Sequence, residues 1–139
     1  MEFSRKNVIG NYARYTGRSG AYHHALVEDI TTTNNVKLSF TPDGKPKVNF
    51  TRELKDLIFF PKLTWFEIGD TVYYYSNKCR KYNPATVEAV DADPANGVTV
   101  QLRAIEYGKT TIFETGLSSI HIPVIWNPKN DKFIVVKIP

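Results

Sequence analysis

The sequence has one cysteine, Cys79, and one methionine in 139 residues. A single thiol excludes an intrachain disulfide and any metal site built on paired cysteines, and it fits a reducing compartment. Histidine is scarce as well. His23 and His24 are strand neighbours that point to opposite faces, and His121 is remote, so no zinc-ligand spacing exists. No apolar run approaches the length that crosses a bilayer, and the first residues, Met1-Glu2-Phe3-Ser4-Arg5-Lys6, lack the apolar stretch of a signal peptide. There is no Gly-rich phosphate loop, nucleophile elbow or triad spacing. Glu88, Asp91, Asp93 and Glu106 lie in or near turns as solvated charges, without the spacing of a catalytic carboxylate pair. The expectation is a non-catalytic protein with no cofactor. A net charge of +4 is too small for a dedicated nucleic-acid tail.

What is present favours strands. Eight Tyr and eight Phe accompany 42% apolar and 23% charged residues, the balance of a folded β domain. After a polar lead-in over residues 1–8, Tyr12–Tyr15 reads as a strand. Thr16-Gly17-Arg18-Ser19-Gly20 is a turn with two glycines free to take positive φ, and Tyr22–Ile30 is the returning strand. Val36, Leu38 and Phe40 alternate with Lys37 and Ser39, Pro42-Asp43-Gly44-Lys45 turns the chain, and Val48 and Phe50 make a fourth strand. Thr51–Leu57 suits one helical or 3₁₀ turn.

The run then repeats. Ala25-x-Val27 matches Ala85-x-Val87, Asn35–Phe40 matches Gly97–Leu102, Phe50 matches Phe113, and Leu54-x-x-Leu57-x-Phe59 matches Leu117-x-x-Ile120-x-Ile122. The offset drifts from 60 residues at Ala25/Ala85 to 63 at Phe50/Phe113, and the drift falls in turns. A sheet this small hides its apolar face by curling into a barrel. The expected fold is therefore all-β: two tandem small barrels, residues 1–62 and 63–139. The short apolar join Phe60–Phe66 should hold them rigidly. A C-terminal strand at Phe133–Ile138 is expected to extend the second barrel or to cross the interface. The chain stops at Pro139 directly after that segment, as a piece of a longer protein would.

The motifs of the second run are Gly69-Asp70-x-Val72, Tyr82-Asn83-Pro84-Ala85-Thr86-Val87, Glu106-Tyr107-Gly108-Lys109 and Leu117-Ser118-Ser119-Ile120. Over residues 8–123 the pattern resembles tandem Tudor modules, members of the SH3-like barrel class. The resemblance implies binding of methylated lysine or arginine in an aromatic cage, histone tails being the common ligand, and hence a nuclear role. The physical basis is the attraction of a large, weakly hydrated cation to ring faces.

Carried over by position, the resemblance implies a cage in the first repeat made of Tyr15, Tyr22 or His23, and Phe40, with Asp43 at the rim. The second repeat departs from the pattern. Ser76 takes the place of the first wall with Tyr75 beside it, Leu102 replaces the third-strand aromatic, and Tyr82, Tyr107 and the acid Glu106 remain. The same tyrosines also suit core packing of small barrels. Two further readings stay open. Lys78, Arg80 and Lys81, with Arg14, Arg18, Lys45 and Lys47, suit a phosphate-binding surface for nucleic acid, although solvated loops are the ordinary reading of such residues. A scaffold with a vestigial cage would instead use a groove between the barrels. Cys79, beside Lys78, Arg80 and Lys81, is expected to have an enhanced thiolate fraction if exposed.

Overall fold

The computed structural model describes residues 3–95 and 97–138. After a short helix α1 (Arg5–Val8) come strands β1 (Tyr12–Thr16), β2 (Tyr22–Ile30), β3 (Asn35–Phe40) and β4 (Val48–Glu53), a 3₁₀ turn at Leu54–Asp56, and the two-residue β5 (Ile58–Phe59). Then follow β6 (Thr71–Ser76), β7 (Lys81–Asp93), β8 (Gly97–Glu106), β9 (Lys109–Gly116), a second 3₁₀ turn at Leu117–Ser119, β10 (Val124–Asn127) and β11 (Lys132–Val135). The protein is all-β, with two antiparallel sheets ordered β11-β10-β5-β1-β2-β3-β4 and β6-β7-β8-β9. Neither sheet closes on itself among the described residues. The chain divides into two compact units: one runs through Pro61 and resumes at Pro123, and the other is Lys62–Ile122.

The internal repeat is visible in the hydrogen bonding of each unit. In the first, the Gly10 N–H donates to the Val27 carbonyl (2.8 Å) and the Val27 N–H to the Asn11 carbonyl (2.9 Å). In the second, Gly69 donates to Val87 (2.8 Å) and Val87 to Asp70 (3.0 Å). Each long second strand then shifts register at the following glutamate, between Val27 and Asp29 and between Val87 and Ala89. Such a bulge leaves one residue unpaired and bends the strand. Glu28 uses that freedom to accept from Ser39 Oγ (2.6 Å) and pair with Lys47 (2.8 Å), while Glu88 pairs with Arg103 (2.6 Å).

Register fixes the equivalences. Val27 faces Leu38 and Leu38 faces Phe50; Val87 faces Leu102 and Leu102 faces Phe113. The third strands therefore align as Val36/Val100, Leu38/Leu102 and Phe40/Ala104, two residues away from the alignment read off the sequence. A two-residue shift keeps the period, so Val36 and Leu38 lie on the buried face as expected although their partners differ; the alternation breaks at the end of the strand, where Ser39 is buried and Phe40 is exposed. The cores are made by these positions: Ala13, Ala25, Val27, Val36 and Leu38 in one unit, and Val72, Ala85, Val87, Val100 and Leu102 in the other, are all buried.

Two expectations are corrected. The C-terminal segment adds to the first sheet, not to the second unit: Val124 pairs with Phe59, and β10 pairs with β11. The reason is apolar packing plus an open edge. Phe133 meets Phe59 (5.4 Å between ring centres) and Trp126 (5.3 Å), and both new aromatics are buried. The polar lead-in is also partly core, since Val8 is fully buried and Phe3 nearly so. Arg5 ties it down, donating to Asn34 Oδ1 (2.7 Å) and the Thr31 carbonyl (3.2 Å) with its guanidinium 5.2 Å from the Trp126 ring.

Leu38→Ala and Leu102→Ala remove equivalent core side chains, and each is expected to cost about 2–4 kcal/mol in chemical denaturation. Ending the chain at Pro123 uncovers the β5 edge. Hydrogen exchange should then accelerate in β1 and β5 and stay unchanged in β6–β8; unchanged exchange in β5 would contradict the pairing described.

Candidate functional site

In the first unit, side chains meet where β1, β2, β3 and β4 present one face. Tyr15 lies opposite His23 in the β1–β2 ladder, two residues beyond the buried Ala13/Ala25 pair, so both rings continue the core face outward. Their ring centres are 5.6 Å apart. Phe50, opposite Leu38, brings its ring to 5.1 Å from Tyr15 and 5.8 Å from Phe40. The turn before β2 is shaped for this. A Cβ on Gly17 would lie 2.8 Å from the His23 ring, so only glycine lets the imidazole settle there. Gly20 is the turn residue that takes positive φ (82°), where the sequence suggested both glycines.

A cation completes the cluster. The Arg52 guanidinium carbon is 5.0 Å from the Phe50 ring centre and 5.4 Å from that of Tyr15, within cation–π range of both. Tyr15 and Phe50 are half-buried and Phe40 is 37% exposed, so the ring faces remain reachable from solvent.

Two predicted members stand elsewhere. Tyr22 is one residue from His23 and so faces the other side of the strand, where it is 60% exposed and lies 4.1 Å below the Arg14 guanidinium. Asp43 sits in the exposed β3–β4 turn, closed by the Lys45 N–H to the Pro42 carbonyl (3.1 Å).

In the second unit the counterpart of Tyr15 is Tyr74, not Ser76 or Tyr75, because Val72 faces Ala85 as Ala13 faces Ala25. Tyr74 packs on Phe113 at 4.9 Å between ring centres, matching the Tyr15–Phe50 pair. Here the polar surroundings differ. The Tyr74 hydroxyl donates to Glu106 Oε1 (2.5 Å), Asn83 replaces His23 opposite it, and Thr115 stands where the first unit has Arg52. Tyr74 is only 6% exposed. Burial, and secondly the Glu106 carboxylate, push its hydroxyl up to about 12. Tyr107 and Gly108, both at positive φ (50° and 77°), form the two-residue turn between Glu106 and Lys109, and the Tyr107 hydroxyl donates to the Lys78 carbonyl (2.9 Å).

Tyr75 and Tyr82 do not join Tyr74. They face each other across the ladder on the opposite side, 5.3 Å apart, with His121 5.1 Å from Tyr82. Cys79 is held below the usual thiol range, as expected, but by hydrogen bonding with Ser76 and then Asn83 rather than by neighbouring cations; the same thiol raises Tyr107.

The basic residues are split between units: Arg14, Arg18, Lys45 and Lys47 in the first, and Lys78, Arg80 and Lys81 around the β6–β7 turn in the second. Among the described residues no cluster of three His, Cys, Asp or Glu side chains could hold a metal ion, and no helix is long and apolar enough to cross a membrane.

Phe50, Arg52, Tyr74 and Phe113 were missed as site residues. The signal for Arg52 was the alternation Val48, Phe50, Arg52, which sets a cation on an apolar face. No family model matches the chain, and no curated protein sequence matches it.

The raised Tyr74 titration gives a stability signature. Between pH 10 and about 12 the unfolded chain loses this proton while the folded state keeps it, so stability present below pH 10 falls through that window. Tyr74→Phe should flatten this part of the alkaline profile. Glu106→Gln should lower the Tyr74 value while leaving it above 10, since burial is the larger cause, as read by ultraviolet titration.

Proposed function

We propose that the protein is a non-catalytic reader module of two SH3-like, Tudor-like barrels whose first unit binds a methylated lysine or arginine of a peptide. Tyr15, His23, Phe40 and Phe50 form the aromatic wall. The barrel reading is supported by the shared order of elements: four strands, a 3₁₀ turn, and a return to the first strand, through β5 in one unit and through the Tyr73–His121 bridge in the other. A histone-like tail as partner and a nuclear setting follow from the Tudor resemblance alone.

The observation that carries the ligand class is the Arg52 guanidinium lying over Tyr15 and Phe50. These rings already accommodate a delocalised, weakly hydrated cation, and a methylated ammonium or guanidinium makes the same contact. The second unit is the poorer candidate on this reading, because the Tyr74 hydroxyl is engaged by Glu106 and the ring is buried.

Calorimetry with trimethyl-lysine and dimethyl-arginine peptides against their unmodified forms tests this. Tyr15→Ala and Phe50→Ala should each weaken the methylated complex by about two- to thirtyfold, given that each ring contact is worth about 0.5–2 kcal/mol. Signals that ignore methylation, or survive both substitutions in folded protein, would refute the proposal.

A second reading has one specific observation behind it. Arg14 stacked on the exposed Tyr22, with Arg18 in the adjoining turn, presents a cation and a ring face as single-strand binders do. Absence of oligonucleotide binding even at low salt rules that reading out.

A further inference from the structure

We propose that Arg52 is a built-in occupant of the Tyr15–Phe50 site, which an incoming cation must displace. The inference rests on reading this cluster as a cation site. Its origin is local. Arg52 pairs with the buried Val36 on the same strand face as Phe50, so its stem starts from an apolar position. An apolar stem with a charged end bends toward the nearest place that satisfies the charge. Here that place is the pair of rings, at 5.0 and 5.4 Å.

What holds the guanidinium is modest. Nη1 donates to the Thr51 carbonyl (3.0 Å), and none of the described ion pairs includes Arg52. A carboxylate would have locked it in place; ring faces and one carbonyl leave it displaceable. The second unit provides an internal contrast, since Thr115 at the equivalent position brings no cation to Tyr74 and Phe113.

The consequence is competition within one molecule. Apparent affinity equals intrinsic affinity reduced by the fraction of time the rings are free, so removing a cation–π contact of ordinary strength should tighten binding by about three- to tenfold. The device favours ligands that outbid a guanidinium on the ring faces, which sets a threshold against weakly held cations.

The test uses the full chain and tetramethylammonium as the probe, followed by NMR. In the wild type, the Arg52 δ-methylene protons should carry upfield ring-current shifts that relax as the probe saturates the site. Arg52→Ala and Arg52→Gln, the second keeping most of the stem, should bind the probe about three- to tenfold more tightly through the Tyr15 and Phe50 resonances. The Tyr74 and Phe113 resonances should respond equally in all three proteins. Persistence of the Arg52 shifts at saturation would make Arg52 a wall and overturn the proposal, as would equal affinity in wild type and variants. Failure of Arg52→Ala to bind the probe overturns it too. In that event methyl-dependent peptide binding by the wild type shows that the reader function stands without it.

Discussion

Each unit depends on one short backbone exchange, in which a corner of the chain locks onto the valine at the bend of its long strand. Gly10-Asn11 grips Val27, and Gly69-Asp70 grips Val87. The exchange fixes the pairing of the first two strands, and pairing fixes parity. A slip of β1 by one residue would turn Ala13 and Tyr15 outward and bring Arg14 inward. Because the following glutamate is the bulged residue in both units, the strand bends just beyond the locked valine and carries its tail toward the third strand. The ring cluster is therefore a consequence of register: Tyr15 and His23 share a face with the core because the ladder places them there.

The same frame has been fitted with opposite electrostatics. Both units keep a tyrosine–phenylalanine pair at nearly the same separation, 5.1 and 4.9 Å. Around that pair, one has His23, Phe40 and Arg52, and the other Asn83, Ala104 and Thr115, with Glu106 on the tyrosine hydroxyl. A charged acceptor makes a strong hydrogen bond and anchors Tyr74 in a buried pose, so the pair acts there as structure. Tyr15 remains half-buried beside a cation. Ring faces that are partly open and a cation that is loosely held are what exchange with a ligand requires.

The sequence carried much of the fold. Alternation at Val36 and Leu38, the Pro42–Lys45 turn and the repeated Leu-x-x-(Leu/Ile) turn named the strands and their order along the chain, because each is a local signal, but the alternation misplaced Ser39, which is buried, and Phe40, which is exposed. What it could not supply was partner identity. Period-2 patterns are unchanged by a two-residue shift, so Leu102 was aligned with Phe40 when the ladder sets it beside Leu38's place. The same ambiguity directed attention to Tyr75 and Ser76 instead of Tyr74, since three consecutive tyrosines hide which one faces inward until the pairing with Asn83 is known. Of the first-unit candidates, Tyr15 and Phe40 meet Phe50 and His23 meets Tyr15, whereas Tyr22 lies on the other face for reasons of parity alone.

The C-terminal hairpin shows why a linear division at residue 62 does not describe the chain. Strand β5 is two residues long and would end the first sheet as an unpaired edge. Pairing with β10 covers it, yet Phe59 and Val124 are 65 residues apart (124 − 59) with the whole second unit between them. Closing so long a loop in a disordered chain is entropically costly and slow. If the second unit folds first, its own ladder brings Lys62 and His121 together as an isolated bridge, and the loop's two ends are already neighbours. The remaining closure then spans only a few residues on either side. In that order of folding the second repeat would serve the first as a folded insertion, its internal pairing lowering the cost of the contact that completes the sheet on which Tyr15 and Phe50 stand.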